Sequence, residues 1–364
     1  MVDLVVSNNI TIQSYKGKYS VSFDNQLFLK FNQLLENQSH FLVDSKVASL
    51  YENQLQSILN CPLTIIIDST EENKSIEHII PIIEKLVTNK IRRNQSLIAI
   101  GGGIIQDITC FITSILLRGL PWKFIPTTLL AQADSCIGSK SSINLGRIKN
   151  ILGTFNPPNE ILICTDFLNT LEDKDIRSGL GEILKVHAIN SASSYDRLSN
   201  DYDKLWKDRN LLLTYIREAL LIKQRYIEVD EFDQGIRNIF NYGHSFGHAI
   251  ESAANFEIPH GIAVAMGMDM ANYISVMLGV LPEYHYHRMK PSLYKNYHHY
   301  KATPIPVDSM LSALMKDKKN TLSKLVLILP VGNDSQVQRV EVLPNDDFKK
   351  HCQEFIEKMK NEKY

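Results

Sequence analysis

The sequence predicts an α/β domain built on a parallel sheet, followed by a mostly helical domain. Three observations carry this. At 364 residues the chain is too long for one small core. Its first half alternates short apolar runs with amphipathic segments of helical period, the pattern of parallel strands covered by helices. After about residue 176, long helical segments take over. The boundary falls near 175, giving residues 1–175 as the α/β domain and 176–364 as the helical one.

Residues 41–44 (FLVD) form a short apolar run ending in a carboxylate, and residues 48–59 have helical spacing. Residues 63–68 (LTIIID) and 96–100 (SLIAI) are continuous apolar runs, which predict buried strands. Between them, residues 75–91 are amphipathic at helical period with one proline inside. Residues 107–118 predict a helix directly after three glycines, and WKFI predicts a further strand. Beyond the boundary, SGLGEILKVHAIN, DRNLLLTYIREALLIKQRYIEV, IFNYGHSFGHAIES and GIAVAMGMDMANYISVML all predict helices. KLVLILPV (324–331) is the one strand candidate of the last third.

Composition excludes several classes. Lys and Arg number 39 against 40 Asp and Glu, a net charge of −1, so no global field draws the chain to nucleic acid or to an anionic membrane. Five scattered cysteines form no CxxC pair, which predicts reduced thiols in a cytoplasmic protein. The opening MVDLVVSNNITIQSYKGKYSV alternates like a strand and does not read as a secretory signal. No apolar run approaches membrane-spanning length.

The chemistry concentrates in a few stretches. SLIAIGGGIIQD runs from a strand through Gly101, Gly102 and Gly103 into a helix. Glycines there let backbone approach a phosphate, and a helix N-terminus favours negative charge. Asp44 reads first as a capping or turn aspartate, with a ribose partner as the alternative. Thr127 and Thr128 place hydroxyls after the WKFI strand. Glu182, with Lys185 one turn later, joins His244, His248 and His260 as groups a divalent metal uses. One carboxylate plus imidazoles suits a catalytic metal that keeps a position open. The spacing of His244 and His248 puts both on one helix face, without saying whether one or both bind metal. Among eleven histidines, those of PEYHYHRM and NYHHY read as surface or loop groups. Lys140, Lys149, Lys185, Lys223 and the DKK of residues 317–319 sit beside apolar or small residues; if they converge, they make an anion pocket.

Taken together, these residues resemble the 3-dehydroquinate synthase family of sugar-phosphate cyclases. The resemblance runs from about residue 40 to 330 through GGGIIQD, LLRGLPW, PTTLLAQADSCIGSKSSINL, KNILGTFNPP, TDFLNTL, RSGLGEILK, DEFDQGIRNIFNYGHSFGHAIE and HGIAVAMGM. It implies a Rossmann-like NAD-binding domain, a helical metal-binding domain and a site in the cleft between them. It implies one divalent metal (zinc, cobalt or iron) on Glu182, His244 and His260, with His248 turned to substrate. It places NAD against Asp44, Glu71, Lys74, Gly102, Gly103, Asp107, Thr127, Thr128, Lys149 and Thr170. Asp134, Lys140, Lys185, Asn241 and His248 are the catalytic expectations. Asn150, Lys223, Arg237 and Lys318 (Lys319 if the register slips by one) are expected to bind substrate. Arg118 would reach the partner's site in a homodimer. The implied reaction converts 3-deoxy-arabino-heptulosonate 7-phosphate to 3-dehydroquinate by transient oxidation, phosphate elimination, reduction and aldol closure, in the shikimate pathway.

Five positions depart from the family pattern: Gln106 and Ser139 for glycines, Gly181 for an alanine, Ile262 for a glutamate and Phe240 for a leucine. None removes an expected ligand or pocket cation. A related cyclase acting on sedoheptulose 7-phosphate or glucose 6-phosphate is the alternative; His248, Asp107, Arg237 and Lys223 favour the sugar-acid substrate. An iron-type alcohol dehydrogenase shares the architecture, but Glu182, Lys140 and Lys185 argue against it. A non-catalytic binding protein would have lost a ligand or cofactor residue, and none is lost.

Overall fold

The computed structural model describes residues 9–35, 38–146, 148–316, 320–321 and 323–362. The strand expected at the start of the chain falls partly on residues 1–8, outside this set. The chain forms two compact units, residues 1–171 with 224–232 and residues 172–223 with 233–364.

The first unit contains strands β1 (Asn9–Ser14), β2 (Gly17–Phe23), β3 (His40–Asp44), β4 (Thr64–Ile67), β5 (Leu97–Gly101), β6 (Trp122–Pro126), β7 (Lys140–Leu145), β8 (Ile148–Phe155) and β9 (Glu160–Ile163). Its helices are α1 (Phe31–Leu35), α2 (Ser45–Leu50), α3 (Glu52–Leu59), α4 (Ile76–Thr88) and α5 (Gly103–Ile115). Seven strands make one sheet in the order β1-β2-β9-β6-β5-β3-β4, parallel throughout except for the β1–β2 hairpin. All five residues of β5 are buried, as its unbroken apolar run requires. The β4 run looks equally apolar but forms an edge strand, where Ile66 is half exposed. Continuous apolarity did not distinguish centre from edge. The helix expected over 48–59 is broken at Tyr51 into α2 and α3. The β7–β8 hairpin, absent from the sequence reading, is a separate two-stranded sheet whose second strand is largely exposed. Its polar, lysine-bearing sequence carries no strand signal.

The second unit holds α6 (Asp173–Asn190), α7 (Ala192–Asp201), α8 (Arg209–Ile227, whose last residues belong to the first unit), α9 (His244–Ala253), α10 (His260–Met277), α11 (Glu283–Tyr297), α12 (Val307–Met315) and α13 (Asp346–Asn361). Its only strands among the described residues are β10 (Leu325–Val331) and β11 (Gln336–Val342), an antiparallel pair. The partner β11 was missed because it reads as an exposed polar strand. PEYHYHRM was expected at the surface, yet it lies in α11 with His285 buried and bonded to the Asn333 carbonyl at 2.7 Å. The helix expected over IFNYGHSFGHAIES begins only at His244, after a 3-10 turn over Ile236–Asn241. α10, buried from Gly261 to Ser275, is the hub of this unit. Its Asp269 accepts from Lys290 Nζ at 2.6 Å and from the Tyr297 hydroxyl at 2.5 Å.

Candidate active site

In the first unit the candidates gather where parallel strands end. Asp44 closes β3, Gly101 closes β5 and Pro126 closes β6, and these three strands are neighbours. The chain steps from β3 outward to β4 but from β5 the other way to β6, so β3 and β5 flank a topological switch point, where such sheets bind ligands. The Asp44 carboxylate caps α2, accepting from Lys46 N at 2.8 Å and Val47 N at 3.4 Å, so the capping role expected first is the one seen. Gly102 precedes the 13-residue α5, and a Cβ on it would lie 3.0 Å from Thr128 Cγ2. A side chain at this position would press on Thr128, and glycine leaves bare backbone at a helix N-terminus, a cradle that fits a pyrophosphate. Thr127 N donates to the Gly101 carbonyl at 2.9 Å, and Thr128 Oγ1 accepts from Ala131 N at 3.2 Å. Asp134 lies on the π-turn over Ala131–Ser135. Thr170 is exposed and bonded to the Tyr51 hydroxyl at 3.0 Å.

A second group lies against the β7–β8 hairpin. Lys74 Nζ donates to Asn150 Oδ1 at 2.9 Å and faces Asp107 at 3.4 Å and Glu71 at 3.6 Å. Burial pushes the Asp107 carboxyl up to about 6, against the Lys74 ammonium and the Ser142 N–H, which pull it down. Lys140 and Lys149 lie exposed on the hairpin. Arg118 is exposed, with a left-handed backbone at φ 65°.

Two of the departures have local accounts here. Ser139 stands at φ 67°, in the region glycine favours, and its hydroxyl donates to Glu231 at 2.5 Å. A hydrogen bond to a charged group contributes about 1.5–3 kcal/mol, enough to offset the cost of that backbone. Gln106 exchanges hydrogen bonds with Ser135, 2.6 Å to its carbonyl and 2.8 Å from its hydroxyl.

In the second unit, helices meet at glycines. A Cβ at Gly181 of α6 would run into the Gly261 carbonyl, and one at Gly267 of α10 would run into that of Gly243. This closeness brings Glu182, His244 and His260 together. Glu182 Oε1 is 3.3 Å from His260 Nε2 and 3.7 Å from His244 Nε2. His248 joins them: ligand atoms of the three histidines lie within 4.8 Å of one another. A carboxylate and imidazoles at this spacing fit a divalent metal such as zinc. The geometry alone does not set His248 apart, although it is the exposed member.

Lys185 pairs with the Glu182 carboxylate through Oε2, leaving Oε1 toward the histidines, and its ammonium lies 5.9 Å from the Phe240 ring. Burial raises the Glu182 carboxyl, but Lys185 and His260 outweigh it and hold it well below the ordinary range. His260 carries a carboxylate at each ring nitrogen, since Glu251 Oε1 is 3.2 Å from Nδ1. Burial disfavours its charged form, and the two carboxylates still raise it to about 10. Glu251, given no role by sequence reasoning, is thus the outer partner of a candidate ligand. Its signal was its place one turn beyond His248 in the same helix. Ile262, which stands where the family pattern has a glutamate, is buried in the apolar core.

His248 lines a cavity of about 930 Å³ with Ser245, Ser252, Asp308, Ser312 and Lys316. Lys223 and Arg237 are buried, and Asn241 bonds to the Asn238 carbonyl at 3.0 Å. Lys318 and Lys319 lie outside the described residues.

Comparison with known proteins bears on this arrangement. Residues 64–178 match the 3-dehydroquinate synthase N-terminal family model, and residues 179–320 the C-terminal one. The 3-dehydroquinate synthase of Dictyoglomus thermophilum is 33% identical over 336 residues, covering 92% of this chain and 88% of that one. Among solved structures, the 2-epi-5-epi-valiolone synthase of Streptomyces hygroscopicus, with NAD+ and Zn2+ bound, superposes with a TM-score of 0.80 at 27% identity, covering 94% of this chain and 96% of that one. A 2-deoxy-scyllo-inosose synthase complexed with carbaglucose-6-phosphate, NAD+ and Co2+ shares the fold, with a TM-score of 0.79 at 22% identity over 95% of this chain and 99% of that one.

Proposed function

The chain belongs to the 3-dehydroquinate synthase family, and on that premise we propose that it is a carbon–oxygen lyase converting 3-deoxy-arabino-heptulosonate 7-phosphate to 3-dehydroquinate with release of phosphate. The carrying observation is the meeting of Glu182, His244 and His260 in a chain that also keeps the glycine cradle at the end of β5. When bound, NAD supplies reversible oxidation of one substrate hydroxyl, and a divalent ion supplies Lewis-acid polarisation of the same oxygen.

The chain's own residues do the rest. Glu182, His244 and His260 hold the ion. Lys185 keeps Glu182 ionised, and Glu251 accepts the Nδ1 proton of His260 and so points Nε2 inward. Asp44, Gly102, Gly103, Thr127 and Thr128 position NAD at the strand ends, and Glu71, Lys74, Asp107, Lys149 and Thr170 complete its contacts. Lys140, Asn150, Lys223, Arg237 and Lys318 neutralise the substrate's phosphate and carboxylate. His248, Asn241 and Asp134 face the reacting carbons. Residues 1–175 serve as the NAD-binding domain and 176–364 as the metal- and substrate-binding domain. Arg118 acts across a homodimer. Free cysteines support a cytoplasmic location, and no helix among the described residues is long and apolar enough to cross a membrane.

The purified protein with NAD+ and Zn2+ is expected to release inorganic phosphate from 3-deoxy-arabino-heptulosonate 7-phosphate without lasting NADH absorbance. Turnover of sedoheptulose 7-phosphate or glucose 6-phosphate, with none of the sugar acid, would sink this reading in favour of a cyclitol-forming relative.

A further inference from the structure

Two of the proposed ligand-binding positions, Glu71 and Asn150, are tied to one side chain that has no role in the proposed reaction, and the backbone N–H of the same residue holds a third, Lys74. Asn144 lies near the end of β7 and is 5% exposed. Its Nδ2 donates to the Glu71 carbonyl at 3.1 Å and to Glu71 Oε1 at 2.9 Å. Its Oδ1 accepts from Asn150 N at 2.8 Å, and its backbone N–H donates to the Lys74 carbonyl at 2.8 Å. The amide orientation follows from these partners, because only a donor can face two Glu71 oxygens and only an acceptor can face the Asn150 N–H.

The tethered groups need an external restraint. Glu71 lies in a turn, with its side chain 41% exposed. Asn150 stands at φ 54°, in the left-handed region. The Asn150 side chain in turn accepts from Lys74 Nζ at 2.9 Å and Ser142 Oγ at 2.8 Å, and Ser142 N donates to Asp107 at 3.0 Å. One primary amide therefore links the turn bearing Glu71 and Lys74 to the strand bearing Asn150. No other side chain of this length offers two donors and an acceptor.

We infer that Asn144 is a positioning residue whose side-chain amide joins Glu71, and with it the turn that carries Lys74, to Asn150, setting the first two for NAD and the last for substrate. This rests on the NAD reading above. It predicts a specific coupling. In Asn144→Asp the bond from Asn150 survives, while the donors to Glu71 are replaced by a carboxylate facing a carboxylate. In the Glu71→Gln background the new side-chain amide at position 71 becomes the donor and the side-chain link re-forms with its polarity reversed, while the backbone carbonyl of residue 71 loses its donor equally in both backgrounds.

The test is a double-mutant cycle on the full chain, read by NAD+ titration calorimetry and by hydrogen exchange of residues 71–75. In the wild-type background Asn144→Asp is expected to weaken NAD+ binding about tenfold and to speed exchange in this segment by a similar factor. In the Glu71→Gln background the same change is expected to cost about twofold or less. Equal costs in both backgrounds, or no cost in either, would overturn the role of Asn144. Failure of the wild-type protein to bind NAD+ would overturn the cofactor reading instead, and the exchange rates would still decide whether Asn144 holds the segment. If Asn144→Asp alone does not fold, recovery of folding in the double variant Glu71→Gln with Asn144→Asp supports the coupling, and failure to recover refutes it.

Discussion

Two histidines four residues apart in α9 come to the same place, yet their surroundings differ. His244 Nε2 lies 3.7 Å from the buried Glu182 carboxylate, whereas His248 is exposed and opens onto the cavity beside α12. A ligand is held by charge and by fixed orientation; a substrate-facing group needs access. His244→Ala is therefore expected to weaken zinc binding by more than about 100-fold, beyond the roughly 10–100-fold of an outer-shell change, and His248→Ala to stay within about tenfold of wild type. Metal content after dialysis against a chelator checks both. Equal loss would mean that the three imidazoles form the ligand set, an arrangement their 4.8 Å spacing permits. Spacing announced that both histidines share a face. It put Glu251 one turn beyond His248 but did not announce its partner, because nothing in the order of residues says that its carboxylate turns back to His260 from an adjoining helix.

The metal candidates come from three helices, and how closely those helices approach decides whether the candidates meet. Gly181 lies on α6 beside Glu182, and Gly261 follows His260 on α10, so the closest crossing lies next to two of the candidate ligands. Small residues let backbones touch; a methyl group here forces them apart. Gly181→Ala is expected to cost about 1–3 kcal/mol of stability, as overpacking does, and to lower zinc affinity because Glu182 is displaced. Thermal unfolding and zinc titration on one preparation read both effects. An unchanged melting temperature and unchanged affinity would show that the crossing relaxes freely. The alanine common at this position in the family would not fit the crossing seen here. In the first unit, β5 and its glycines were legible because a buried parallel strand leaves an unbroken apolar run. The hairpin bearing Lys140, Asn144 and Asn150 was not, since its second strand faces solvent and shows no period.

Two buried titrating groups, one in each unit, give the molecule opposite responses to acid. Asp107 is raised to about 6 by burial, so its contribution to stability is present below the unfolded carboxyl range and is lost as pH rises through 6. His187 on α6 is lowered to about 4, chiefly by burial, so its contribution is present above the ordinary imidazole range and is lost as pH falls toward 4. The His187 contribution amounts to about 3 kcal/mol, and that of Asp107 to about 2 kcal/mol once discounted for its partial exposure. Asp107→Asn is expected to raise the melting temperature at pH 7.5 and leave it little changed at pH 4. His187→Gln is expected to flatten the acid-side loss between pH 6.5 and 4. Melting curves of both variants that run parallel to wild type would refute the assignment. Unlike these opposed pH responses, the broad outline was visible beforehand: two structural classes along the chain, a net charge near zero, reduced cysteines and an ordered run of motifs.

Fold class, family and most of the candidate residues could be read from the order of residues alone. These rest on local periodicity and on residue types at short spacing, which a linear chain carries directly. Packing in three dimensions chose which of the candidates stand together. It brought Glu182 to His244 and His260, set Glu251 behind His260, and fastened Glu71, Lys74 and Asn150 to Asn144. Such contacts depend on how closely helices cross and where a loop is anchored. Those are settled by packing between segments distant in the chain, where no spacing rule reaches.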